Sequence, residues 1–173
     1  MLVRQYEGTD GNDKMVGDEA DNTMFGLKGN DNMNGADGHD VLFGHEGNDH
    51  LIGADGQDSI RGNEGNDFID GGPGSDELTG DTAGTCRGSQ GNDIIYGGDN
   101  DDEIKGCAGA DHMYAGDGDD FVVHNVFAID DAEAMAPDGS KDTIDCGPGV
   151  DGAIINESVD HDVATNCETL QAG

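Results

Sequence analysis

Between residues 8 and 123 a single apolar residue recurs in nine-residue units, flanked by polar and small residues. It takes the eighth place of twelve units: Met15, Met24, Met33, Leu42, Leu51, Ile60, Ile69, Leu78, Ile95, Ile104, Met113 and Val122. This is neither the 3.6-residue period of an amphipathic helix nor a long two-residue alternation, so it reads as a tandem repeat. In positions 7 to 9 only the middle residue is regularly apolar, which predicts a short strand with one inward side chain. Position 1 is glycine in every unit but the one starting at Ala115, and position 4 is glycine except at Ala20 and Asn100. Glycines three apart mark a tight turn that needs positive φ and close backbone approach. Two units then make one coil, with a strand and a turn on each side. Stacked coils give an all-β solenoid of about six coils, whose two parallel sheets face each other across a thin core. The ninth unit, residues 80–96, carries eight extra residues.

Position 6 carries the candidate chemistry. It is aspartate at Asp13, Asp31, Asp40, Asp49, Asp58, Asp67, Asp76, Asp93, Asp102, Asp111 and Asp120, and asparagine at Asn22. Because two units close one coil, units two apart share an edge. One edge stacks Asp13, Asp31, Asp49, Asp67, Asp93 and Asp111; the other stacks Asn22, Asp40, Asp58, Asp76, Asp102 and Asp120. Carboxylates stacked at the strand spacing of about 4.8 Å repel. The composition sharpens the problem: 39 Asp plus Glu against 7 Lys plus Arg, a formal charge of −32, and only 33% hydrophobic residues. Such a chain stays disordered unless something neutralises it. Nucleic acid is excluded for want of a basic patch, an anionic membrane surface would repel the chain, and no stretch is apolar enough to insert as a spanning helix. A multivalent cation between neighbouring turns answers both the charge and the thin core. The position-3 acids (Asp10, Glu19, Asp37, Glu46, Asp55, Glu64, Asp99, Asp117) alternate with Lys28, Pro73 and Ala108, so they read as a solvated acidic face.

The unit resembles the G-G-x-G-x-D-x-U-x nonapeptide of the RTX, or haemolysin-type, calcium-binding repeats. The resemblance covers residues 8–123; the second glycine survives only at Gly72, Gly98 and Gly116, with residues such as Leu27, His45 and Cys107 elsewhere. It implies a right-handed parallel β-roll that binds Ca²⁺, with the position-6 residues as ligands and backbone carbonyls near positions 1, 3 and 5 completing the shell. Six turns on each edge leave five gaps, so up to about ten Ca²⁺ ions fit. The Asn22–Asp40 gap, short of one carboxylate, should be the weakest. Extracellular calcium modules bind at about 10⁻⁴ to 10⁻³ M, so the chain should be unfolded in a cytosol and folded outside, as a secreted or surface module.

Residues 1–7 read as a lead-in, 124–136 as an irregular connection and 137–173 as a cap. Cys86, in the insertion, and Cys107 fall on one edge one coil apart, so a Cys86–Cys107 disulfide is one of the three connectivities open to four cysteines. DTIDCGPG, Asp151 and the later CE resemble the closing segment of secreted bacterial RTX-like proteins, which implies a Cys146–Cys167 pair. Asp142 and Asp151 are further candidate ligands there. The six histidines sit at unrelated repeat positions and give no zinc spacing. No arrangement of nucleophile and base stands out, so an enzyme is not expected. The remaining alternative is adhesion or other ligand binding, with the position-9 aromatics Phe25, Phe43, Tyr96 and Tyr114 as a contact patch; the plainer reading of these aromatics is packing on the sheet surface. The expected state is a monomer or one part of a larger exported protein.

Overall fold

The computed structural model describes residues 3–81, 91–123, 142–155, 163–167 and 169–172. The described elements are all strands, three to seven residues long, and none is a helix. Consecutive strands lie in opposite sheets. Each pairs in parallel with the strand two places before it and the strand two places after it. One sheet has nine strands, from Arg4–Glu7 through Asn22–Lys28, Val41–Glu46, Ser59–Glu64, Glu77–Thr79, Glu103–Lys105, Phe121–Val123 and Gly152–Ile155 to Thr169–Ala172. The other has eight, from Lys14–Val16 to Val163–Thr165. The fold is a parallel β-solenoid, the β-roll expected from the nine-residue period.

The register explains the core. In the nine-stranded sheet Met24, Leu42, Ile60, Leu78, Ile104, Val122 and Ala153 stand on one another. In the eight-stranded sheet Met15, Met33, Leu51, Ile69, Ile95, Met113 and Ile144 do the same. From Met24 onward these residues are fully buried, Ala153 at 1% exposure included, whereas Met15 in the terminal coil is only half-buried. One inward residue per strand is all that so narrow an interior admits. Position 8 is therefore always apolar and never larger than Met.

Both interruptions of the repeat leave the register intact. Neighbouring coils are offset by 18 residues along most of the roll. Across the ninth unit the offset is 26, the 18 plus the eight extra residues. From Asp111 to Asp142 it is 31, the 18 plus the 13 residues of 124–136. The solenoid extends beyond the twelve units at both ends. Arg4–Glu7, in the stretch read as a lead-in, pairs with Asn22–Phe25. Thr143–Asp145 and Gly152–Ile154 continue the two sheets toward the C-terminus. Cys146, buried beside Ile144, is bonded to Cys167, the pairing that the closing-motif resemblance implied. Cys107 is buried; Cys86, its expected partner, lies outside the described residues.

On the outward faces the aromatics follow the plainer of their two readings, packing on the sheet surface. The position-9 aromatics do not form one patch, because units of opposite parity lie in opposite sheets. Phe25 and Phe43 stack at 5.3 Å on the nine-stranded sheet, with the Arg61 guanidinium 5.5 Å from the Phe43 ring centre. Tyr96 and Tyr114 stack at 4.8 Å on the eight-stranded sheet, continued by Phe68 and His50. Each row runs along its sheet and packs ring on ring, which stabilises coil stacking by cross-strand contact.

Candidate metal-binding turns

The residues that start each strand also end each turn, so strand register brings the position-6 side chains into line. The two ladders read from the sequence are both present. In each, the carboxylate Oδ1 accepts a hydrogen bond from the backbone N–H of the position-6 residue one coil earlier. On one edge the N–H groups of Asp13, Asp31 and Asp49 donate to Asp31, Asp49 and Asp67 at 2.8 Å. The series continues through Asp93 and Asp111. On the other edge the N–H groups of Asn22, Asp40, Asp58, Asp76 and Asp102 donate to Asp40, Asp58, Asp76, Asp102 and Asp120 at 2.7–2.8 Å. Both ladders gain a rung from the C-terminal segment. Asp142 accepts from Asp111 at 2.6 Å, and Asp151 accepts from Asp120 at 3.0 Å.

The second oxygen is the informative one. Oδ2 of Asp31, Asp40, Asp49, Asp58, Asp67, Asp76, Asp93, Asp102, Asp120 and Asp151 is buried and accepts no hydrogen bond. A buried carboxylate oxygen without a donor or a cation is costly. Ten such atoms in two ranks are not scattered packing faults. The position-1 glycines make room for them: a Cβ on Gly26, Gly35, Gly44, Gly53, Gly62 or Gly71 would lie well inside 3.0 Å of Oδ2 of Asp31, Asp40, Asp49, Asp58, Asp67 or Asp76 respectively. The same added atom would also collide with the position-1 carbonyl oxygen of the next coil. Carboxylate and carbonyl oxygens thus converge in a space that any side chain would fill. That donor set, hard oxygens only, fits Ca²⁺. Among the described residues no three His, Cys, Asp or Glu side chains converge on one point, so a cation in a gap needs backbone carbonyls for most of its shell.

Burial raises the proton affinity of these groups. It pushes Asp49 and Asp76 up to about 6, Asp58 and Asp67 to about 7, Asp102 to about 8 and Asp93 to about 9. The backbone N–H bonds oppose the rise without cancelling it. For Asp93 the charge of Asp111 adds to the effect of burial.

Two further features of the turns emerge from the structure, one unread in the sequence and one noted there only as a departure from the repeat. The first is position 5. Asn12, Asn30, Asn48 and Asn66 each accept, through Oδ1, the backbone N–H of the position-5 residue one coil later, at 2.7–2.9 Å. On the opposite edge Asp21 and the Nδ1 of His39 do the same for His39 and Gln57. The signal was there: asparagine precedes the aspartate in alternate units, which are the units of one edge. The second is position 2. Leu27, Ala36, His45, Ala54, Asn63 and Cys107 hold φ of 78–81°, the left-handed region otherwise taken by Gly72, Gly98 and Gly116. The missing second glycine therefore costs strain rather than a different turn. Replacing Ala54 with glycine is expected to stabilise the roll by about 0.5–1 kcal/mol, since left-handed φ penalises Cβ more than glycine's added unfolded-state freedom does. Thermal melting at fixed calcium should register it as a higher midpoint.

Ranks of buried, unsatisfied carboxylate oxygens along the turns of a parallel β-solenoid define a structural module that binds cations. The chain belongs to the family of RTX calcium-binding nonapeptide repeats, which matches it at residues 7–42, 43–78 and 87–122. No curated protein matches it. The repeats of the family bind calcium, and this β-roll is a calcium-binding module of that kind.

Proposed function

We propose that Ca²⁺ occupies the gaps between successive position-6 side chains along both edges, and that this occupancy is what folds the roll. The observation that carries the proposal is the row of buried Oδ2 atoms without hydrogen bonds. Asp31, Asp49, Asp67, Asp93, Asp111 and Asp142 would serve one edge, preceded by Asp13, and Asp40, Asp58, Asp76, Asp102, Asp120 and Asp151 would serve the other. The ion supplies positive charge and oxygen coordination where the protein has only anions. Bound ions also offset a large part of the −32 formal charge, which otherwise expands the chain. The role is structural rather than catalytic.

The same physics gives the module a location. Extracellular calcium modules bind at about 10⁻⁴ to 10⁻³ M, a range met outside cells. The Cys146–Cys167 disulfide belongs to an oxidising compartment. The proposed role is therefore a secreted or surface module that remains unfolded until export delivers it to calcium, by itself or within a larger protein.

Asp67→Ala tests the assignment of the ligands. Asp67 borders two gaps, and its Oδ1 also holds the Asp49 N–H at 2.8 Å. Equilibrium dialysis of wild type should show saturable calcium binding of several ions per chain. The variant should bind about two fewer and fold only at several-fold higher calcium, a loss of about 3 kcal/mol from two sites at about 1 kcal/mol each plus one hydrogen bond. An unchanged ion count in a folded Asp67→Ala chain would remove the position-6 carboxylates from the binding sites.

A further inference from the structure

The first coil differs from the rest of the roll in how its two turns are closed. From Asp31 onward the described turns hold a carboxylate Oδ2 in buried space. In the first turn, Oδ2 of Asp13 instead accepts from the Thr9 N–H at 2.6 Å and the Thr9 hydroxyl at 2.9 Å. In the second turn position 6 is Asn22, which is 1% exposed. Its amide nitrogen donates to the carbonyl oxygen of Asp18 at 3.1 Å, to the carbonyl oxygen of Ala20, and to Oδ1 of Asp40 in the next coil at 3.1 Å. The amide oxygen of Asn22 is buried and accepts nothing. The amide orientation follows from its surroundings. Turned the other way, Asn22 would set its oxygen against three acceptors, an arrangement tolerable only with a cation among them.

The backbone separates the same two turns from the others. Left-handed φ appears at position 2 from the third unit on, at Leu27 and Ala36 first, and neither Thr9 nor Asp18 adopts it. Position 4 does not make this division, since Gly29 and Gly38 hold φ of 109° and 129° but Gly118 and Gly149, in the turns of Asp120 and Asp151, lie outside the left-handed region as Gly11 and Ala20 do. At position 2, then, the chain takes a different path in the two turns where a side chain of the turn itself satisfies the oxygens.

We infer that the gap between Asn22 and Asp40 holds no calcium, because the Asn22 amide donates to the oxygens that an ion would otherwise gather. The first coil is then an end cap whose Asn22 edge is closed without metal. Its Thr9 and Asn22 side chains finish the turns that have no calcium-loaded neighbour below them, and the ladder on the Asn22 edge begins at Asp40. This inference rests on the calcium reading of the other gaps, and it replaces the expectation of a merely weak site at Asn22 with that of none.

Native mass spectrometry of the full chain at saturating calcium decides it, using wild type, Asn22→Asp and Asn22→Ala. Asn22→Asp restores the carboxylate pair with Asp40 and removes the amide donor, so it should bind one ion more than wild type. Asn22→Ala removes the tie without adding a ligand, so it should bind the same number of ions as wild type while folding at higher calcium in a circular dichroism titration. An Asn22→Ala chain that loses one ion would overturn the inference, because Asn22 would then have been a ligand through its oxygen. An Asn22→Asp chain with an unchanged count, in a wild type that binds several ions, would overturn it as well. A wild type that binds no calcium would instead defeat the broader reading, and the two failures are thereby distinct.

Discussion

Acidifying the metal-free protein from about pH 8 to about pH 5 should make it fold, the reverse of ordinary acid denaturation. The sign follows from the buried aspartates. Their usual value is 3.8, and burial without a cation raises Asp49 and Asp76 to about 6, Asp58 and Asp67 to about 7, Asp102 to about 8 and Asp93 to about 9. Above these values both folded and unfolded chains are ionised, and the folded state bears the whole penalty of buried charge. As the pH falls through them, the folded state takes up protons that the unfolded state does not, so stability rises. The gain is complete once the unfolded carboxylates also titrate near 3.8. The window between about 9 and 4 is therefore one in which protons do for the metal-free roll what the proposal assigns to calcium at neutral pH. With calcium present the response reverses, since the same protons displace the ion. Far-ultraviolet circular dichroism in chelator-treated buffer should gain strand signal on acidification, and the calcium concentration for half-folding should rise. Working at about pH 5 keeps the chain above its isoelectric point of 4.1. A metal-free chain that loses structure between pH 8 and 5 would show that its aspartates do not lie in buried ladders.

The parts of the fold visible in the sequence are those set by periodicity. Position 8 faces the core because only one residue in three of each strand can do so, and Leu51, Ile60 and Met113 needed no further information. The two ladders followed from the coil length alone, since a coil of two units places Asp49 on Asp31 and Asp58 on Asp40. Other features were hidden because they depend on contacts between coils. At position 5, Asn48, His39 and Asp21 share no size or charge; what they share is an acceptor atom within reach of a backbone N–H one coil later. The position-6 carboxylates read as metal ligands only, yet one oxygen of each is committed to the backbone, so that a single side chain both fixes the register and faces the gap. Asn22 reads from the sequence as a weaker ligand, and the inference of an ion-free gap draws on its neighbours, which only the fold brings together. The carbonyls of Asp18 and Ala20 make its amide a donor to a ready-made set of oxygens. The aromatics fall into two rows because Phe43 and Tyr96 share a repeat position, but the parity of their units sends them to opposite sheets.

On the proposed reading, calcium is the term on which the folded state depends. The interior contributes little more than one side chain per strand, and most of those side chains are no larger than leucine or methionine. Backbone ladders run the length of both sheets, but each bond adds only about 1 kcal/mol net. Conformational entropy at about 1–2 kcal/mol per residue opposes them, and at neutral pH the ionised ladders oppose them further. An ion bound by the folded state alone shifts this balance by mass action at every occupied gap, and because neighbouring gaps share an aspartate, filling one organises the next. The transition should therefore be cooperative in calcium. The most direct test is circular dichroism of the full chain, first in excess chelator at neutral pH and then through a calcium titration. The expected result is a disordered spectrum in chelator and a steep rise of strand signal near millimolar calcium, with magnesium failing to substitute. A fully formed roll in chelator at neutral pH, indifferent to added calcium, would contradict the account.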